Sequence, residues 1–351
     1  MNIKSLALAS LSVAAIITGC SKKAGNAGQE YQLDVVVTDP GADNTYAYLY
    51  DFDTNEVIDS VIVTDGHALF DGQIDGPAVV NLVVNGNRVG RFFLEGGASV
   101  YDNGHITSEL NDKYEHFVAD IRAVSDSLMN AMDSTWTEVE QEAHYLMLQA
   151  HIDSLVNKHI VENISNPLGY YLFVQQAMSM EADKFKEMLD LNPELKNYKR
   201  VGKINDNFAA REATSAGKHY TDFEVEYNGT TTRLSDYVKP GQYTLVDFWA
   251  SWCGPCKREI EIIKDLYAKY NGRGLDVVGV AVWEEPDQTN AYLAENPLPW
   301  NIIVNGQHGP TDIYGINGIP CIILIDPDGN IVARDLMEGE LINTVTTAMG
   351  E

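Results

Sequence analysis

The stretch Leu245-Val246-Asp247-Phe248-Trp249-Ala250-Ser251-Trp252-Cys253-Gly254-Pro255-Cys256-Lys257 decides how the C-terminal part of the chain is read. Tyr243 to Ala250 is an apolar run bounded by Gly241 and the Trp-Cys pair, which predicts a buried strand. From Cys256 to Tyr270 the period changes. Ile260, Ile263, Leu266 and Tyr267 then fall on one face of a helix that ends at Asn271-Gly272. The two cysteines therefore stand where a buried strand gives way to a helix.

Thiol–disulfide exchange needs a thiolate within reach of a second thiol, and something to hold the negative charge. The free N–H groups and dipole of a helix N-terminus supply the latter. Two intervening residues let Cys253 stand exposed at the helix start with Cys256 one turn in. Pro255 is tolerated there, because early helix positions need no N–H donor. Two other readings of Cys-x-x-Cys exist. Zinc usually takes four ligands including a second pair, and Cys321 and His308 lack that spacing, so no metal is expected. An inert structural disulfide is the other.

Working outward, Leu275 to Trp283 predicts a second buried strand, and Gln288 to Glu295 a helix closed by Asn296-Pro297. Cys321 to Ile325 and Ile331 to Asp335 flank the turn Pro327-Asp328-Gly329-Asn330, and Leu341 to Met349 reads as a last helix. Upstream, Phe223 to Tyr227 and Thr231 to Leu234 flank Asn228-Gly229 as a hairpin, after which Ser235 is placed to cap a short turn. This order predicts an α/β layer with a mixed sheet flanked by helices over residues 213–351.

The Leu245 to Lys257 stretch resembles the active-site region of thioredoxins. The segment from about Tyr220 to Glu351 resembles the TlpA/ResA-like thioredoxin-fold proteins of the AhpC/TSA–redoxin superfamily, which are exported, tethered thiol–disulfide oxidoreductases. The matching pieces are the leading hairpin, the insertion around Glu284 to Trp300, Gly318-Ile319-Pro320, and Ile323-Leu324-Ile325-Asp326-Pro327-Asp328-Gly329. The resemblance implies that Cys253 attacks and Cys256 resolves. It implies that Asp247 is the buried carboxylate that helps move the Cys256 proton. Trp249 and Trp252 would wall the site. Substrate would meet Trp252, Gly254, Pro255, Ile319 and Pro320, with Ile319-Pro320 as the cis-proline loop. Thioredoxins often place a lysine near the acid. The matching strand here reads Val278-Gly279-Val280-Ala281-Val282, so that partner is missing. Cys321 follows the proline and is either a possible third thiol or a small strand residue. No cofactor is implied beyond the redox-active Cys253–Cys256 pair.

The first half of the chain reads differently. From Tyr31 to about Ile106, short runs such as Tyr46 to Tyr50, Val57 to Val63, Ala68 to Phe70, Val79 to Val84 and Val89 to Leu94 alternate with Asp65-Gly66, Asn85-Gly86 and Glu95-Gly96-Gly97. Such punctuation favours hairpins and predicts an all-β, antiparallel, sandwich-like domain over residues 31–107. Phe92 to Gly97 and Asp71-Gly72 are similar to a β-rich domain of unknown role fused ahead of such redox modules in Gram-negative lipoproteins. Over 108–212 the period becomes helical. Tyr114, Phe117, Val118, Ile121, Val124 and Leu128 mark one face, Tyr145 to Ile160 repeats it, Asn166-Pro167 stops it, and Leu168 to Met178 and Ala182 to Leu189 resume it. This predicts a helical connector.

Residues 1–19 read as a lipoprotein signal peptide. Lys4 is followed by apolar Leu6 to Ile17, shorter than the roughly 20 residues a bilayer needs, and then Ile17-Thr18-Gly19-Cys20, which resembles a lipobox. Lipidation is expected at Cys20, with residues 20–30 as tether, holding the chain to the membrane of a Gram-negative cell envelope and facing the periplasm. With 51 Asp+Glu against 24 Lys+Arg, nucleic-acid binding is excluded on charge. The four cysteines are too few and too spread for a disulfide scaffold.

The expected function is reduction of protein disulfides in the envelope, with electrons from a membrane thiol donor of DsbD/CcdA type. A Gly-Pro dipeptide between the cysteines resembles reducing thioredoxins. A peroxidase of the peroxiredoxin branch would need a Thr before its cysteine, where Ser251-Trp252 stand. The non-enzymatic alternative is an envelope binding or scaffold lipoprotein whose residues 31–210 do the work, with the redox domain secondary.

Overall fold

The computed structural model describes residues 28–131, 135–177 and 180–351. The residues read as signal peptide, as lipobox with Cys20, and as tether up to residue 27 lie outside the described residues. The chain divides into two compact units after Ala123.

The first unit contains β1 (Gln29–Val36), β2 (Tyr46–Asp51), β3 (Val57–Ile62), β4 (His67–Ile74), β5 (Ala78–Val84), β6 (Asn87–Leu94), β7 (Gly97–Asp102) and β8 (His105–Ile106). They form two four-stranded sheets, ordered β4-β1-β7-β8 and β3-β2-β5-β6. Leu33, Phe70 and Tyr101 from one sheet and Leu49, Leu82 and Phe92 from the other share a single buried cluster. That shared cluster is what makes a sandwich. The sheets are not purely antiparallel as the hairpin signals predicted: β1 pairs with β7 in parallel, Tyr31 opposite Gly97. Turn residues report only neighbouring strands, and this pairing joins strands distant in sequence. Gln29 and Glu30, assigned to the tether by composition, are the first rungs of β1, opposite Ile74 and Gln73.

Helix α1 (Glu109–Asn130) leaves this unit. Buried Asn111 anchors its start, donating to the Phe93 carbonyl at 2.7 Å and accepting from the Phe93 N–H at 3.0 Å, in the manner of a strand partner.

The second unit begins at Val124. Its helical part continues with α2 (Glu138–Glu162), α3 (Pro167–Ala177), α4 (Ala182–Leu191) and α5 (Lys199–Ala213). Thr137 and Glu140 make a reciprocal cap at the start of α2. Two expectations are corrected. Tyr145 is 61% exposed rather than buried. Pro167 does not end α2, which closes at Asn163; it opens α3, where its missing N–H costs nothing. Helix α5 falls within the helical region expected over 108–212, and Val201, Ile204 and Phe208 make its apolar stripe, although the sequence reading did not single it out as a separate helix. It packs on the C-terminal part through Arg211–Asp335 and an Asn207–Asn317 amide pair.

Then follow β9 (Glu224–Tyr227), β10 (Thr230–Arg233), β11 (Tyr243–Trp249), α6 (Gly254–Tyr270), β12 (Leu275–Ala281), α7 (Pro286–Glu295), β13 (Asn301–Ile303), α8 (Gly309–Tyr314), β14 (Cys321–Ile325), β15 (Ile331–Ala333) and α9 (Glu338–Ala348). β9 and β10 form the expected hairpin. Ser235 does not cap the following turn. Its hydroxyl donates to Asp222, and Asp236 instead accepts from the Arg233 N–H.

The main sheet has the order β13-β12-β11-β14-β15. β11 pairs in parallel with β12 and antiparallel with β14, so the sheet is mixed. Both faces are covered. On one, Leu245 and Trp249 pack with Ile260, Ile263 and Leu266 of α6 and Leu341 and Val345 of α9. On the other, Val246 and Phe248 pack with Phe223, Val225 and Tyr314. The apolar run of β11 is continuous because both of its faces are buried.

Candidate active site

Strand β11 ends in a tight turn. The Cys253 N–H donates to the Ala250 carbonyl at 3.1 Å, and Cys253 becomes the N-cap of α6. Its Sγ accepts from the Cys256 N–H at 3.1 Å, so one orphan donor of the helix start points at the sulfur. Cys253 and Cys256 are joined as a disulfide, with their Cα atoms 5.3 Å apart. Pro255 sits in the first turn, where the helix does not need its N–H.

Cys253 was expected to be exposed. It is 3% exposed instead, and Cys256 is fully buried. The cause is the loop before β14. Ile319-Pro320 is a cis peptide, and the Ile319 carbonyl oxygen lies 3.8 Å from the Cys253 sulfur. Ile319 also packs against the cluster that holds both cysteines. The exposed groups here are Trp252, at 58%, with Gly254 and Pro255 beside it, while Ile319 and Pro320 are half-buried. Trp249 is wholly buried and forms core rather than wall.

Asp247 is 1% exposed, and neither carboxyl oxygen has a hydrogen-bond partner. Side chains alternate along a strand, so Asp247 shares the α6-facing side of β11 with Leu245 and Trp249. Burial pushes its pKa up to about 8, and the negative charge of Glu259 adds to the rise. A carboxyl so placed takes a proton near neutral pH, as a general base should.

Glu259 was missed by the sequence reading. It is 2% exposed, lies three residues beyond Cys256 on α6, and accepts from the Glu338 N–H at 3.0 Å. A Glu amid Lys257, Arg258 and Glu261 reads as solvated surface, but its i+3 spacing from Cys256 on the buried face was an available signal.

Cys321 is 2% exposed, with its sulfur 3.3 Å from Asp335 Oδ1. Burial, with Asp335 adding to it, pushes its thiol up to about 12. Cys321 is therefore held as a neutral thiol, and a thiolate is what attack requires.

Family comparison decides the rest. Residues 216–334 match the AhpC/TSA family model. These residues form an AhpC/TSA-family domain. Residues 31–121 match a domain of unknown function, DUF4369. The AhpC/TSA domain is similar to the thiol-disulfide oxidoreductase ResA of Bacillus subtilis, 28% identical over 129 residues, covering 36% of this chain and 71% of that protein. It is 29% identical over 125 residues to ResA of Geobacillus thermodenitrificans, covering 35% and 71%. Among solved structures it is similar to the thioredoxin domain of a Bacteroides vulgatus thiol-disulfide oxidoreductase, at 29% identity and TM-score 0.35, covering 39% of this chain and 99% of that one. A putative thiol:disulfide interchange protein DsbE of Chlorobium tepidum stands at 28% and 0.34, covering 38% and 98%. The AhpC/TSA domain, with its cysteine pair at the head of α6, is a thiol–disulfide oxidoreductase. Among the described residues, no helix is long and apolar enough to cross a membrane.

Proposed function

We propose that the chain reduces disulfides of envelope proteins, cycling through the Cys253–Cys256 pair and using no other cofactor. The observation that carries this reading is the cysteine pair at the start of α6, with the Cys256 N–H aimed at the Cys253 sulfur and buried Asp247 on the same side of the sheet.

In the reduced state, Cys253 is the thiolate, stabilised by the helix N-terminus. It attacks one sulfur of a substrate disulfide. That S–S bond breaks, the first substrate sulfur leaves as thiolate and takes a proton, and a mixed disulfide forms. Asp247, ionised in the fraction of molecules that its raised pKa allows, accepts the Cys256 proton. The Cys256 thiolate then attacks the Cys253 sulfur and releases the second substrate sulfur, which is protonated in turn. Two electrons pass to substrate, and the Cys253–Cys256 disulfide remains. A membrane thiol donor of DsbD/CcdA type restores the dithiol.

Trp252, Gly254, Pro255, Ile319 and Pro320 form the surface a substrate strand would meet. Lipidation at Cys20 would hold the domain at the periplasmic side of a Gram-negative envelope. The test is insulin reduction together with trapping in cells. A Cys253→Ser variant should be inactive, and a Cys256→Ser variant should accumulate mixed disulfides with envelope proteins. Full activity of Cys253→Ser would remove the assigned nucleophile.

A further inference from the structure

Glu284 is 6% exposed, and the mechanism above does not use it. It follows Trp283 in the loop between β12 and α7. Trp283 has φ of +58°, a conformation that bulky residues rarely adopt and that persists where surrounding contacts demand it. Here the turn sends Glu284 inward. One carboxylate oxygen accepts from both the Ser251 N–H, at 2.9 Å, and the Ser251 hydroxyl, at 2.5 Å. The other accepts from the hydroxyl of fully buried Thr289, at 2.7 Å. The Glu284 carbonyl accepts from the Gln307 amide at 2.8 Å.

A buried carboxylate is costly unless its lone pairs are satisfied. This one is satisfied largely by the turn that precedes Cys253. The same loop holds that turn at a second point, since the Trp252 indole N–H donates to the Trp283 carbonyl at 3.4 Å. Residues 250–253 are thus pinned from within by Cys253 N–H to Ala250, and from outside by residues 283 and 284.

We propose that Glu284 is a positioning residue for the attacking thiol: by clamping Ser251, it holds the Cys253 sulfur against the first N–H groups of α6. The proposal rests on the reading of Cys253 as the attacking cysteine. It acts through the backbone, because the effect on the sulfur depends on where the turn places it relative to the Cys256 N–H. Releasing the clamp lets the turn widen and the thiolate lose its donor.

The test is the rate of iodoacetamide alkylation of the reduced full chain from pH 5 to 9, with the modified cysteine identified by mass spectrometry. In Glu284→Ala the Cys253 rate at pH 7 should fall about tenfold and its pH midpoint should rise by about one unit, as for a thiolate that loses helix stabilisation. Glu284→Gln keeps an oxygen for Ser251 and should stay within about threefold of the unsubstituted chain. Ser251→Ala, which removes one of the bonds and leaves the core intact, should shift the midpoint in the same direction by less, and it supplies the reading if Glu284→Ala does not fold. An unshifted midpoint in Glu284→Ala and Ser251→Ala overturns the proposal. So does a Gln variant as slow as the Ala variant, because charge rather than the clamp would then be responsible. Modification of Cys256 before Cys253 in the unsubstituted chain would instead overturn the assignment of the attacking thiol.

Discussion

Asp247 lies opposite Gly279 in the parallel β11–β12 ladder, so the strand position beside the buried carboxyl carries no side chain. A Cβ at 279 would come within 2.6 Å of Ile302 Cδ1 and 3.0 Å of the Trp249 indole nitrogen. Trp249 and Ile302 fill the space that a longer residue would need. The acid therefore has no lysine from this position, and its neighbour in charge is Glu259. An acid facing another acid in an apolar layer holds its proton to higher pH.

This gives a pH dependence of stability. Folded Asp247 titrates near pH 8, and unfolded aspartate near 4. Between those values the folded state keeps a proton that the unfolded state has lost, so stability falls as pH rises. The contribution is fully present below about pH 4 and lost by about pH 8, with a slope approaching about 1.4 kcal/mol per pH unit at most. Denaturant unfolding of Asp247→Asn at several pH values should lack this component, while its insulin reduction falls. An identical pH slope in the two proteins would contradict the assignment.

Glu259→Gln should lower the pH at which the resolving step reaches half its maximal rate. Removing the like charge lets Asp247 ionise more readily, and the Gln oxygen can still accept from the Glu338 N–H. Single-turnover decay of a preformed mixed disulfide, followed across pH, reads this directly. A midpoint that rises instead would show that Glu259 helps Asp247 ionise.

Cys321→Ala should leave insulin reduction unchanged and cost about 1 kcal/mol of stability, as for a small loss of buried volume. The native thiol should also resist alkylation until the chain unfolds, since burial and Asp335 keep it protonated. Activity loss in the Ala variant without loss of stability would make Cys321 a participant.

Arg334 carries the attachment of α5. Its guanidinium, 8% exposed, donates to the carbonyls of Arg211, Thr214 and Tyr314 and to the Thr214 hydroxyl. Arg334→Ala strands those acceptors and should lower stability by about 2–4 kcal/mol, measured by denaturant unfolding. A fragment beginning at 214 should lose comparable stability against one beginning at 199, because the two differ by α5 alone. Equal stability of the two fragments would mean that α5 merely lies on the surface.

Much of the site was readable in one dimension. Trp252-Cys253-Gly254-Pro255-Cys256 lies between an apolar run and a helical period, so local pattern alone put the pair at a helix start. The β9–β10 hairpin was equally plain, because Asn228-Gly229 carries the positive φ values such a turn needs. What escaped were features whose cause lies far along the chain. The parallel β1–β7 pair joins Tyr31 to Gly97, and no turn residue announces it. Glu259 and Glu284 are acids in stretches that look solvated, and only the layers above them show that both are buried. Helix α5 lies in the stretch read as helical, but its attachment through Arg334, just beyond β15, joins residues more than a hundred positions apart and has no local signal.

By itself the sequence determined where the cysteine pair stands on the chain, and that a strand and a helix meet there. Those are properties of neighbouring residues and of hydrophobic period. Tertiary structure alone decided that the Cys253 sulfur is covered by the Ile319 loop, that Asp247 holds its proton to about pH 8, and that a buried Glu284 grips the turn ahead of the cysteines. Burial, and the charge behaviour that follows from it, depends on segments tens of residues apart being pressed together, which no local pattern encodes.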